Sequence, residues 1–182
     1  MKLLMVDDDI TLRELYEKDA EPLFQLTDSN RTYLRTWLPW LDINKSVEST
    51  HWFIQNSLQQ ARDDVGAQFG IWFLGELVGV IGYHFLDKTN RSANLGYWLA
   101  ERAEGQGIMT KACNMIVEDA LEGKKLNRME IRCAVENTKS RAIPERLGFT
   151  FEGILRQAEF CYDHYNDMAV YSLLAQEYKK TI

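Results

Sequence analysis

The sequence predicts an α/β domain spanning residues 1–182, built as a mixed sheet with helices on its faces. Three observations carry that prediction. Short apolar runs between residues 69 and 99 follow one another as a meander, separated by turn signals. The last of them, 95–99, leads through Gly105-Gln106-Gly107 into an apolar stretch of helix length that ends near Leu121. A further strand at 129–135 follows that helix, and a helical crossover of this kind makes the two flanking strands parallel neighbours.

Size and composition narrow the class. A chain of 182 residues buries a full core without metal or disulfide support. It carries no repeat, low-complexity tract or linker, so no second domain is expected. The hydrophobic fraction is 46%, and no apolar run approaches the ~20 residues of a membrane span. The start, Met1 to Val6 followed by Asp7-Asp8-Asp9, lacks the apolar core and cleavage site of a secretory signal, which gives a cytoplasmic expectation. Cys113, Cys133 and Cys161 are odd in number and show no C-x-x-C spacing, against a disulfide framework or a zinc site. A net charge of −6 speaks against broad nucleic-acid binding, which needs a basic face, and favours a cationic substrate such as an amine.

Taken in order, residues 10–15 alternate apolar and polar as a half-buried first strand does. Asp19 is placed to cap a short helix whose apolar face is Ala20, Leu23, Phe24 and Leu26, with Pro22 tolerated in the first turn. Residues 32–41 crowd Tyr33, Leu34, Trp37, Leu38, Trp40 and Leu41 together, and Pro39 breaks or bends the segment. That stretch is either a substrate wall or a helix packed on the sheet. Ser46 begins the next helix, which Asp63-Asp64-Val65-Gly66 stops. Strands at 69–73 and 77–85 flank Gly75-Glu76, the signal for an antiparallel hairpin. Asn90 and Ser92 mark the turn before the strand at 93–99. After the helix from Gly107 to about Glu122 comes the strand 129–135, then a short helix from Thr138 or Lys139 to Leu147 ended by Gly148. A long hairpin, 149–160 and 165–174, turns at Tyr162-Asp163-His164.

The glycine turn carries the functional signal. A small-residue loop between strand and helix leaves backbone N–H groups unpaired at the helix start, and with the helix dipole these suit a diphosphate. A dinucleotide fingerprint fails because the third glycine position holds Thr110 and a hairpin precedes the turn. A P-loop fails because no G-x-x-x-x-G-K-[ST] occurs. A second block lies one strand later: Asn137, Ser140, then Leu147-Gly148-Phe149, Glu152-Gly153 and Arg156.

Together these two blocks closely resemble the GNAT superfamily of acyl-coenzyme A dependent N-acetyltransferases, and within it the Rim-type ribosomal-protein N-acetyltransferases, whose pattern N-x-x-S…L-G-F-x-x-E-G…R runs here without gaps. The stretch 157–160, Asp167, Tyr171 and Trp37-Leu38-Pro39-Trp40 bring the likeness nearest to the ribosomal-protein-serine branch, over nearly the whole chain. The resemblance implies a mostly antiparallel central sheet of about seven strands, splayed at strands 4 and 5, with helices on both faces. It also implies a homodimer. With Gly107 at the helix entrance two positions depart from the family loop, Glu104 standing first and Met109 last; the offset match Arg102-x-x-Gly105-x-Gly107 has neither departure but shifts the loop against the helix start. A carboxylate repels a diphosphate, so Glu104 is expected to point to solvent while the N–H groups that follow it bind.

The resemblance further implies that acetyl-coenzyme A is the co-substrate, held by Trp98, Leu99, Gly105, Gln106, Gly107, Ile108, Met109, Thr110 and Asn137. The pantetheine arm would lie between the splayed strands, and an N–H near Trp98 or Leu99 would polarise the thioester. Acyl transfer to an amine also needs a neutral amine and a proton for the departing thiolate. Glu159 matches the family's base, against the plain alternative of a solvated strand carboxylate. Ser140 is the candidate acid, with helix capping as its other possible role. Asn137 either binds the pantetheine amide or only forms a turn. Trp37, Trp40 and Tyr162 are the candidate acceptor contacts.

The three histidines form no triad with a Ser or Cys, and direct transfer in a ternary complex requires neither a covalent enzyme intermediate nor a metal. Two readings stand beside transfer to a protein α-amine: transfer to a small amine such as a polyamine, an amino acid or an aminoglycoside, and an acyl-coenzyme A binding module without catalysis. No nucleic-acid or membrane partner is expected.

Overall fold

The computed structural model describes residues 2–178. Its eight strands form one sheet in the order β1-β2-β3-β4-β5-β6-β8-β7. β1 (Leu3–Met5), β2 (Ile10–Glu14), β3 (Ala67–Phe73), β4 (Glu76–Asp87) and β5 (Ser92–Leu99) are antiparallel in succession. β6 (Arg128–Ala134) joins β5 in parallel, and β8 (His164–Leu174) lies antiparallel between β6 and β7 (Thr150–Cys161). The expected count of about seven rises to eight because β1 is only three residues long, too short for an alternation to register. Asp7 makes the turn after it, its carboxylate accepting from the N–H of Asp9 and Ile10.

Helices cover both faces. On one, α4 (Ile108–Glu118) sinks Ala112, Cys113 and Ile116 onto Phe69, Ile71, Leu95 and Ile131, all at most 4% exposed. On the other, α1 (Ala20–Ser29) and α3 (Val47–Arg62) bring Leu23, Leu26 and Ile54 against Leu77 and Val80. Each such side chain contributes roughly 1.5–3 kcal/mol by leaving water, which holds the helices to the faces of the sheet. A π-helical turn, Asp119–Gly123, extends α4 to the predicted end of that helix. Ser46 caps α3 as expected, accepting from the Ser49 N–H.

Three local expectations shift. The β3–β4 turn is Leu74-Gly75, both at positive φ, one residue earlier than Gly75-Glu76; the two left-handed residues match the twist of a tight hairpin. Asp19 precedes α1 but does not cap it with its side chain. Its carboxylate instead forms a two-bond pair with Arg13, at 2.9 Å each, and accepts from the Tyr16 N–H, because a buried acid gains more from a guanidinium than from an amide. Residues 32–41 divide: α2 (Arg31–Arg35) ends in turns through Trp37 and Trp40, with Pro39 breaking the helix as predicted.

Candidate active site

The β5–β6 join is where the sheet opens. Its register runs from Ser92 opposite Arg128 to Leu95 opposite Ile131 and stops there. β5 continues to Leu99 on the β4 side, and β6 continues to Ala134 on the β8 side. Gly96 to Leu99 therefore face a gap in place of a neighbouring strand, and their backbone edge is available to an extended ligand. A cavity of about 810 Å³ occupies this gap.

Its walls follow from the local sequence. From β5 come Tyr97, Trp98 and Leu99; from the turn and the start of α4 come Gly105, Gly107, Ile108, Met109 and Thr110. Gly105 and Gly107 sit at φ of 74° and 75°, left-handed conformations that a side chain disfavours. Gly107 is the residue from which α4 starts, so the unpaired N–H groups of the first helical turn look out beside it. Asn137, with Ser140 and Ile143 of the helix it precedes, α5 (Thr138–Arg146), closes the far side. Three cations, Lys111, Lys139 and Arg146, line the same cavity with one carboxylate, Glu104. An elongated, negatively charged ligand with an apolar end fits this distribution.

α5 is anchored independently of the cavity. The Arg141 guanidinium donates to the Tyr171 hydroxyl and to the Val135 carbonyl, and Tyr171 donates in turn to Glu145. Asn137 is the N-cap, its Oδ1 accepting from the Ser140 N–H at 3.1 Å. That assigns the cap to Asn137 and leaves the Ser140 hydroxyl out of it, contrary to the second role foreseen for Ser140. Ser140 Oγ stands 3.2 Å from Cys133 Sγ and 3.4 Å from the Tyr97 hydroxyl, which itself donates to the Ser140 carbonyl. Burial pushes the Tyr97 phenol and the Cys133 thiol up, so both stay protonated near neutrality.

Glu104 corrects the expectation of a solvent-facing carboxylate. It accepts from the Tyr33 hydroxyl of α2 and from the Lys139 ammonium of α5, the latter at 2.6 Å. Burial works the other way, yet these two donors hold its carboxyl below the usual glutamate range.

A second cavity of about 930 Å³ adjoins the first, with Trp37 lining both. Tyr162 lines it, stacked under the Arg35 guanidinium at 3.7 Å and donating to the Leu38 carbonyl. Trp40 lines neither cavity; it packs against Trp98, ring centroids 6.4 Å apart, and supports the wall from behind. Gln106 also lies outside both linings, its amide turned to the Arg102 carbonyl. Glu159 is half-buried on β7 and belongs to neither lining. A bulge between Leu155 and Glu159 sets its place: Gln157 takes a φ of 50° and its N–H is held by Asp167 at 2.7 Å. Burial raises the Glu159 carboxyl, opposed by the Asn166 amide at 3.4 Å.

Tyr33, Leu34, Trp37 and Leu38 of the aromatic stretch line the cavity, as the substrate-wall alternative expected, whereas Tyr97, Lys139 and Arg146 line it without having been singled out as site residues. Tyr97 carried a signal, standing two residues after Leu95 and so on the same strand face. Lys139 carried none, since it looks like a solvated helix residue until the fold brings it to Glu104. Among the described residues no cluster of His, Cys, Asp and Glu could hold a metal ion, and no helix is long and apolar enough to cross a membrane.

Comparison with known proteins places this geometry in context. Residues 9–150 match the family model described as an acetyltransferase (GNAT) domain. YdaF of Bacillus subtilis (strain 168), provisionally named a ribosomal N-acetyltransferase, is 39% identical over 96% of this chain and 96% of its own length. The ribosomal-protein-serine acetyltransferase of Escherichia coli (strain K12) is 33% identical over 93% of this chain and 94% of its own. Among solved structures, RimL, a ribosomal L7/L12 alpha-N-protein acetyltransferase in complex with coenzyme A, superposes with a TM-score of 0.92 at 28% identity, covering 95% of this chain and 98% of its own.

Proposed function

The chain belongs to the acetyltransferase (GNAT) domain family, and from that premise we propose that it transfers the acetyl group of acetyl-coenzyme A to the N-terminal α-amine of a ribosomal protein, by direct attack in a ternary complex. The observation that carries the reading is the parting of β5 from β6 after Leu95 and Ile131, with Gly107 opening α4 beside the gap.

The residues divide the work along that gap. The N–H groups from Gly105 to Thr110 and the positive end of α4 hold the diphosphate, an arrangement worth up to ~2 kcal/mol where partly buried. The free edge of Trp98 and Leu99 pairs with the pantetheine amides and presents an N–H to the thioester carbonyl as charge develops on it. Asn137, already fixed as the α5 cap, offers its amide nitrogen to the same arm. Trp37 and Tyr162 orient the acceptor in the second cavity. An α-amine has a pKa of about 8, so a modest base suffices. Glu159, outside the cavity lining but joined to it through the Asn166 amide, removes the amine's proton, directly or through water, and the lift that burial gives its carboxyl improves it for that task. The amine forms its bond to the acyl carbon, the carbon–sulfur bond breaks, Ser140 passes its hydroxyl proton to the thiolate, and the proton that Glu159 took from the amine returns through solvent to restore the Ser140 hydroxyl.

We read residues 1–182 as one such domain, working in the cytoplasm. We also read it as a homodimer, for which the edge strand β7 offers apolar surface: Phe151, Ile154 and Phe160 on one side and Leu155 on the other are each at least 41% exposed. Release of thiol from acetyl-coenzyme A, measured against peptides with different N-terminal residues and against polyamines, amino acids and aminoglycosides, tests the acceptor. Faster release with N-terminal-serine peptides supports the reading; release with small amines alone assigns a small-molecule enzyme, and no release despite coenzyme binding a non-catalytic module.

A further inference from the structure

Glu104 is a carboxylate in the residue before the diphosphate loop, a place where charge repulsion alone would forbid one. The structure shows what it does there. Tyr33 and Glu104 are 71 residues apart in sequence, and Lys139 is 35 beyond Glu104, yet the three side chains meet on the wall of one cavity. Glu104 is 24% exposed and Lys139 72%, so the acid is fixed in the wall while the ammonium covers it from outside. The Lys139 ammonium also stands 5.9 Å from the Tyr33 ring. Glu101 is the other carboxylate whose charge acts on both Tyr33 and Lys139.

Each partner comes from a different element. Tyr33 belongs to α2, which leads directly to Trp37 on the boundary between the two cavities. Glu104 leads into Gly105 and the helix start, and Lys139 lies in the first turn of α5. Resting on the acetyl-coenzyme A reading above, we propose that Glu104 is a positioning residue that clasps the diphosphate loop to α2, with Lys139 as the counter-ion that makes a carboxylate tolerable beside the coenzyme's phosphates. Lys139 cancels a charge in this scheme; it is not itself a phosphate ligand.

A double-substitution cycle on acetyl-coenzyme A affinity separates these roles. Lys139→Ala leaves Glu104 uncompensated and weakens binding about tenfold, whereas Lys139→Ala with Glu104→Gln returns it to within about threefold of the wild type. A double variant as weak as Lys139→Ala, or a Lys139→Ala protein that binds normally, overturns the proposal. The clasp itself is read by amide hydrogen exchange: Tyr33→Phe speeds exchange of segments 31–38 and 103–107 several-fold, and unchanged exchange in both overturns it. Failure of the wild-type protein to bind acetyl-coenzyme A would remove the functional reading as well, which distinguishes that failure from the loss of the clasp alone.

Discussion

Leu95 pairs with Ile131, and beyond that pair β5 and β6 have no ladder between them. The gap is stable because each strand is held on its other side, β5 by β4 and β6 by β8, so the open edge costs no core contact. A substrate arm that occupies it supplies the pairing that the sheet omits.

Gly107→Glu is expected to abolish coenzyme binding, lowering affinity at least ~100-fold, by placing a carboxylate and a side chain at the helix entrance. The backbone there has a φ of 75°, so the substitution also costs about 1–2 kcal/mol of stability. Calorimetric titration with acetyl-coenzyme A, alongside circular dichroism to verify folding, checks it. Normal affinity would place the diphosphate elsewhere.

Glu159→Gln is expected to lower kcat about 100-fold with coenzyme affinity unchanged. The pH profile gives the sharper readout. Burial raises the Glu159 carboxyl above its ordinary value, so wild-type kcat/KM falls as pH drops through that raised value and the base is protonated. In the Gln variant this acid limb disappears and only the acceptor amine's ionisation remains. Wild-type turnover in the variant removes Glu159 from the base role.

The first helical turn of α5 offers a pair of contrasting substitutions. Ser140→Ala should reduce kcat about tenfold and keep the α5 cap, which is made by Asn137, so that its stability cost is limited to the hydroxyl's contacts with Cys133 and Tyr97. Asn137→Ala should cost about 1 kcal/mol of stability as the cap is lost, and weaken coenzyme binding. Steady-state kinetics with thermal unfolding of both variants separates chemistry from capping.

Asp19→Ala should be the most destabilising of these changes. It strips a two-bond partner from Arg13 at a site where the side chains are 5% and 18% exposed, and breaking such a pair costs about 3–5 kcal/mol. For a chain of this size that lowers the melting temperature by about 10 °C, with coenzyme affinity preserved in the folded protein.

The features legible in the sequence were those specified by neighbours along the chain. Ser46 announced its helix through the Ser49 N–H three residues on, Gly107 announced α4 by its own backbone freedom, and Gly148 closed α5 at a φ of 77°. The hairpin turn slipped by one residue because Gly75 is the second residue of its turn, and a lone glycine does not say which position it fills. What stayed hidden depends on distance in sequence. Glu104 read as a solvated acid because both of its donors are brought to it only by the fold. Glu159 read as a site residue by family pattern, yet its position is fixed by a bulge that Asp167 holds from the next strand, and no local periodicity encodes that.

The most direct measurement is tandem mass spectrometry of a peptide carrying an N-terminal serine and an internal lysine, after incubation with the protein and acetyl-coenzyme A. The acetyl group is expected on the serine α-amine, at a rate that Glu159→Gln depresses. Acetyl on the lysine alone, or an unmodified peptide beside intact thioester, would contradict the account.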